Sequence, residues 1–115
     1  MKQDNLIVNK TFDFSLSIIA LYRVLSSNHE YILSKQVLRS GTSVGANVEE
    51  AIGAHSRKDF IAKMVIAYKE ARETRYWLRL LNASKIVNTD YSKHLKDIEE
   101  IINILTAIIK TSKGE

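Results

Sequence analysis

The chain has no proline and four glycines in 115 residues, and that scarcity limits what it can become. Multi-stranded folds need many tight turns, and tight turns are built mainly from glycine, proline, asparagine and aspartate. Few turns favour long uninterrupted helices. Hydrophobic residues make up 45% of the chain, enough to fill the interior of one domain of this length.

Four segments carry apolar residues at alternating steps of four and three, the spacing of one helical face. In the first, Ile7, Phe14, Ile18, Leu21 and Leu25 form a stripe with Thr11 in its gap. The second places Val37, Gly41, Val44, Val48 and Ala51 in line. The third carries Phe60, Met64, Ala67, Ala71, Thr74, Leu78 and Leu81, and the fourth Tyr91, Leu95, Ile98, Ile102, Leu105 and Ile109. The expected helices span roughly 9–27, 34–53, 57–82 and 89–111. Ser56 begins a near capping box with Asp59, Asn88 or Thr89 is the expected cap of the fourth helix, and Gly53 suits the end of the second. Short connections between long helices predict an all-α, antiparallel up-down-up-down four-helix bundle in a single domain over 1–115.

The stretch "RSGTSVGANVEEA" (Arg39–Ala51) has the look of a phosphate-binding loop, but no lysine follows its second glycine and no strand precedes it. The apolar stripe runs through Gly41 and Gly45 in phase, so both lie within a helix. An internal glycine costs about 1 kcal/mol against alanine, and glycines one turn apart offset this by letting another backbone approach. Beside that stripe runs a polar one: Gln36, Ser40, Ser43, Asn47 and Glu50. Glu70, Glu73 and Trp77 sit at the shoulder of the third stripe, within reach of Arg39. Either these form a polar seam of Arg39, Ser43, Asn47, Glu50, Glu70 and Glu73 between two helices, or they are a solvated face.

Net charge is +4, and one segment holds all of it. Seven basic residues against three acids fall between Arg57 and Arg79; the remainder of the chain has ten of each. Lys58, Lys63, Lys69, Arg72, Arg75 and Arg79 are the candidate nucleic-acid-binding residues, through sequence-independent contacts to phosphate. The competing reading pairs these arginines with acids at an interface. Ile61, Val65, Tyr68 and Trp77 fall outside the third core stripe. That surplus predicts an interface between copies of the chain.

No catalytic constellation emerges. There is no cysteine, no Glu-x-x-His pair for a di-iron bundle, and Glu70 with Glu73 lack the further ligands a metal needs. No cofactor or metal is expected. Arg23 and His29 are spaced like the arginine–histidine motif of the higher-eukaryote-and-prokaryote nucleotide-binding ribonucleases, which makes a ribonuclease the lesser alternative. The first residues have no apolar signal core and no run approaches a membrane span, so the expectation is a cytoplasmic protein with no membrane partner.

The segment "LRSGTSVGANVEEAIGAHSRKDFIAKMVIAYKEARETRYWLRLL" resembles the four-helix-bundle proteins first noticed as reading frames in intervening sequences of large-subunit ribosomal RNA. The accessory variability determinant of diversity-generating retroelements is of the same group. Arg39, Ser43, Asn47, Glu50, Ser56, Phe60, Ala67, Glu70 and Leu78 carry the likeness. Where the family often has glycine after its first glutamate, this chain has Ala51, and its glycine comes at Gly53. The resemblance implies a barrel-like homopentamer. For the retroelement members it also implies a nucleic-acid-binding surface and a reverse-transcriptase partner. An oligomeric adaptor docking such a protein partner is therefore the alternative to nucleic-acid binding.

Overall fold

The computed structural model describes residues 2–114. Four helices, α1 (Lys2–Ser27), α2 (Leu33–Ile52), α3 (Arg57–Ser84) and α4 (Ser92–Ser112), make up the fold, with no strand among the described residues. A 28-residue helix is about 42 Å long, which accounts for a molecule of 44 × 21 × 20 Å. α1 packs on α2, α2 on α3, α3 on α4 and α4 back on α1, with no diagonal pair in contact. Cross-helix pairs run in opposite directions: Arg39 meets Glu73 while Glu50 meets Lys63, and Lys10 meets Glu100 while Ser17 meets His94. The bundle is therefore antiparallel, up-down-up-down. No helix is long and apolar enough to cross a membrane.

The first three stripes reach the core nearly as the periodicity predicts. Ile7, Thr11, Phe14, Ile18, Leu21 and Leu25 are buried along α1, and Val37, Val44, Val48 and Ala51 along α2. Met64, Ala67, Ala71, Thr74, Leu78 and Leu81 face them from α3, while Phe60 is only half-buried. On α4 the stripe is rotated: Ile101 and Ile108 are buried with Ile98, Ile102 and Leu105, and Leu95 and Ile109 are half-buried. A helix carrying isoleucines at 98, 101, 102, 104, 108 and 109 is apolar over a wide arc, and spacing alone does not fix its rotation.

Helix ends depart from the expected boundaries for identifiable reasons. α1 starts at Lys2 rather than near residue 9, continuing for two turns ahead of the expected start. α2 is capped by a side chain outside it: the Glu30 carboxylate accepts the backbone N–H groups of Ile32 and Leu33 at 3.1 Å and of Ser34 at 2.6 Å. At α3, Ser56 Oγ accepts the Asp59 N–H at 3.1 Å. α4 begins at Ser92, not at residue 89, and neither Asn88 nor Thr89 is its cap. Asp90 Oδ1 accepts the Ser92 N–H at 2.9 Å and the Ser92 hydroxyl at 2.7 Å. Tyr91 turns inward there and donates its hydroxyl to the Val87 carbonyl at 2.8 Å.

The glycines divide by what surrounds them. A Cβ on Gly41 would lie 2.9 Å from Ile18 Cγ2, and one on Gly45 would lie 3.3 Å from the Thr11 carbonyl oxygen. Gly53 has φ −88° and no atom closer than 3.8 Å to a built Cβ, so the turn into α3 does not require glycine. The left-handed positions fall elsewhere, at His29 (φ 64°) and Lys85 (φ 53°), ending α1 and α3.

The packing makes the two α2 glycine positions behave oppositely on substitution. Gly41→Ala will destabilise the bundle by about 1–2 kcal/mol despite its gain in helix propensity, because buried Ile18 has to move. Gly53→Ala will be neutral or slightly stabilising, as chemical denaturation will show. His94 lies against α1, with Nε2 3.3 Å from the Ser17 carbonyl and Nδ1 buried without a partner. Burial, opposed by that carbonyl, holds its pKa below the usual histidine value. The unfolded chain therefore takes up this proton more readily, and stability falls as pH drops from about 7 toward 5. His94→Gln will flatten that part of the stability–pH curve.

Candidate nucleic-acid interface

α3 is long because Ser56 starts it cleanly and nothing in the next 28 residues breaks it. Its inner face is fixed by the core, so its outer face points to solvent along its length. Lys58, Lys69, Arg72, Tyr76 and Arg79 are exposed. From Lys69 they step by three, four and three, which stacks them along one ridge. Arg72 lies over the Tyr68 ring, its guanidinium carbon 5.8 Å from the centroid, and donates to the Tyr68 hydroxyl at 3.3 Å. Tyr76 is 52% exposed and packs edge-on against Trp77, centroids 5.2 Å apart.

The six basic candidates separate into two groups. Lys63 Nζ is 3.0 Å from Glu50 Oε1 on α2, and Arg75 is 3.0 Å from Glu99 Oε1 on α4. Both have their charge answered inside the chain. Among the described residues, Lys58, Lys69, Arg72 and Arg79 have no carboxylate within ion-pair distance. The fold adds cations that the local charge pattern does not contain. The C-terminal end of α4 brings Lys110 and Lys113 beside the start of α3, where Arg57 donates to the Ser112 carbonyl at 3.3 Å. These lysines lie far along the chain from the basic segment, so only the antiparallel pairing of α3 with α4 reveals them.

The polar residues of α2 face α3. Arg39 bridges two carboxylates, donating to Glu70 Oε2 at 3.0 Å and also to Glu73. The Trp77 indole N–H donates to Glu73 at 2.9 Å. That bond, aided by Arg39 and opposed by partial burial, holds the Glu73 carboxyl below the usual carboxylate range. The Ser40 and Thr74 hydroxyls meet at 2.9 Å in the buried layer beneath. Asn47 bonds back within its own helix, to the Ser43 carbonyl at 2.9 Å and hydroxyl at 3.1 Å, so these two do not cross to α3. Glu70 and Glu73 are occupied by Arg39, and the described residues contain no cluster of three or more acids or histidines fit for a metal ion.

Of the four candidate interface residues, Tyr68 and Trp77 pack partly against the core, and Ile61 and Val65 are half-buried. More apolar surface stands free on α1, where Phe12 is 62% and Leu16 53% exposed. That helix carries a second apolar stripe, which its stronger core stripe masks in the sequence. Arg23 and His29 are both exposed. The His29 ring meets the Tyr31 hydroxyl at 3.1 Å, and no hydrogen bond joins it to Arg23.

Known proteins share this fold. The model of the 23S rRNA-intervening sequence protein family matches residues 3–107. A protein of unknown function of the S23 ribosomal protein family from Bacteroides thetaiotaomicron VPI-5482 superposes with a TM-score of 0.89 at 44% identity. That superposition covers 94% of this chain and 98% of that one. No curated protein matches. With nearly its whole length matched by the family model and a relative this similar in sequence and backbone, the chain belongs to the 23S rRNA-intervening sequence protein family.

Proposed function

We propose that the chain is a non-enzymatic, homo-oligomeric bundle that binds single-stranded RNA along the outer ridge of α3. The observation that carries this reading is the unpaired line of Lys69, Arg72 and Arg79 with exposed Tyr76 set among them. Cations at helical spacing track a phosphate backbone, and an aromatic ring between them offers a base a surface to stack on. Nothing in such a ridge selects a sequence, since every base has a face to stack. Lys58 extends the ridge toward the start of α3. Lys63 and Arg75 belong to the bundle rather than to the ligand, because removing either leaves Glu50 or Glu99 unanswered. The family's description names a ribosomal RNA intervening sequence, which makes RNA the first polymer to try. In an assembly of five copies, as the resemblance implies, the ridge would recur in every copy and one strand would engage several of them.

Affinity for a single-stranded RNA, measured over a salt series, tests this. The Lys69/Arg72/Arg79→Ala variant will bind more weakly, and its dependence of log affinity on log salt will be shallower by about 2, roughly 0.7 for each phosphate no longer neutralised. Arg75→Ala will keep the wild-type slope. Tyr76→Ala will bind about ten-fold or more weakly with the slope unchanged, since stacking releases no counterions. A triple variant that binds as the wild type does overturns the proposal.

A further inference from the structure

Phe12, Leu16 and Ile19 are 62%, 53% and 42% exposed. Their steps of four and three put them on one side of α1, turned away from the core stripe. Phe12 and Ile19 also form one wall of a shallow groove between α1 and α2, floored by Gly45 and walled opposite by Ala46 and Glu49. The groove follows from the close approach of the two helices, because small residues on α2 leave the larger α1 side chains standing above it. Water is a poor neighbour for such a surface, since every apolar side chain left half exposed forgoes part of the stabilisation that its burial would give.

A second apolar groove lies between α3 and α4, lined by Val65, Tyr68 and Ile109. Since the helices touch only in ring order, the α1–α2 and α3–α4 faces are on opposite sides of the bundle. Their charges differ in sign. The one charged side chain lining the first groove is Glu49, and those lining the second are Lys110 and Lys113. Pairing the first face with itself brings acid toward acid, and pairing the second with itself brings lysines toward lysines. Only the combination of one with the other matches apolar surface to apolar surface and opposite charges at the rim.

We infer that the occupant of each groove is another copy of this chain, in head-to-tail contact. The α1–α2 face of one copy, led by Phe12 and Leu16, sits on the α3–α4 groove of the next, with Glu49 toward Lys110 and Lys113. This rests on the homo-oligomeric part of the reading above and adds which surfaces meet. A contact between two different faces leaves one of each unsatisfied at the ends of any open chain, so it closes into a ring or continues as a filament. Lys69, Tyr76 and Arg79 do not line the α3–α4 groove, so the contact and the RNA ridge use different residues of α3.

The test is a mixing experiment on the protein alone, without nucleic acid, with mass read by sedimentation velocity. One variant, Phe12→Glu/Leu16→Glu, spoils only the first face. The other, Lys110→Glu/Lys113→Glu, spoils only the second. All four positions are exposed, and circular dichroism and thermal melting verify that each variant keeps its helices. Wild type is expected to be larger than a dimer, each variant alone a monomer, and an equimolar mixture a 1:1 dimer, because each variant supplies the face its partner lacks. Adding Glu49→Lys to the Lys110→Glu/Lys113→Glu variant is expected to restore self-association, tightening its dissociation constant by about ten-fold or more through opposite signs at the rim. A mixture that stays monomeric, or a second-face variant that keeps the wild-type mass, overturns the head-to-tail contact. A multimer indifferent to both variants also overturns it while leaving the homo-oligomer standing. A monomeric wild type removes both, and the RNA salt series is still decided independently.

Discussion

The contact on which most of this structure depends is Ile18 of α1 resting where Gly41 of α2 has no side chain. Ile18 is fully buried, and its branched Cβ leaves it little rotational freedom, so it sets how far apart the two helices stand and how they slide. Gly45, one turn further along α2, lets the Thr11 backbone come near as well. Two residues of low helix propensity are tolerated within α2 because the close packing they allow outweighs their cost. The groove on the outer side of the same pair has the same origin.

Across the bundle, α2 and α3 are matched by polar rather than apolar means. Arg39 spans Glu70 and Glu73, Trp77 supports Glu73, and Glu50 reaches Lys63. Arg39 is half exposed, so these bonds contribute modestly to stability. Their geometric demand is stricter, since a planar guanidinium bridging two carboxylates one turn apart tolerates little sliding. The buried Ser40–Thr74 contact beneath reinforces the same register. Register of α2 is thus set on one side by shape and on the other by hydrogen bonds.

The helices are legible in the sequence because their apolar stripes keep one phase for several turns, and Arg39 is legible because its partners lie at fixed helical offsets. Other features are hidden for equally physical reasons. Glu30 caps α2 from outside it, a role usually held by shorter side chains, and no residue-type preference points to it. Asp90 displaces Asn88 and Thr89 because burial of Tyr91 decides where the loop ends. That Arg75 is paired and Arg79 is not depends on Glu99, whose position follows from the rotation of α4, and α4 is the helix whose stripe reads ambiguously. The outer stripe of α1 is present in the letters, but a helix with two apolar faces shows its inner one first.

The ring-order packing also bears on how the chain folds. Three of its four helix pairings join neighbours in sequence across short loops, and such local hairpins form quickly. No proline is present to impose a slow isomerisation step. The pairing of α1 with α4 alone spans the whole chain, and it is the thinnest of the four. It is held by Lys10 with Glu100 and by His94 on the Ser17 carbonyl. Folding therefore ends with the first helix swinging onto the last, and the bundle will open most readily along that same edge, like a cover hinged at the Gly41–Ile18 contact.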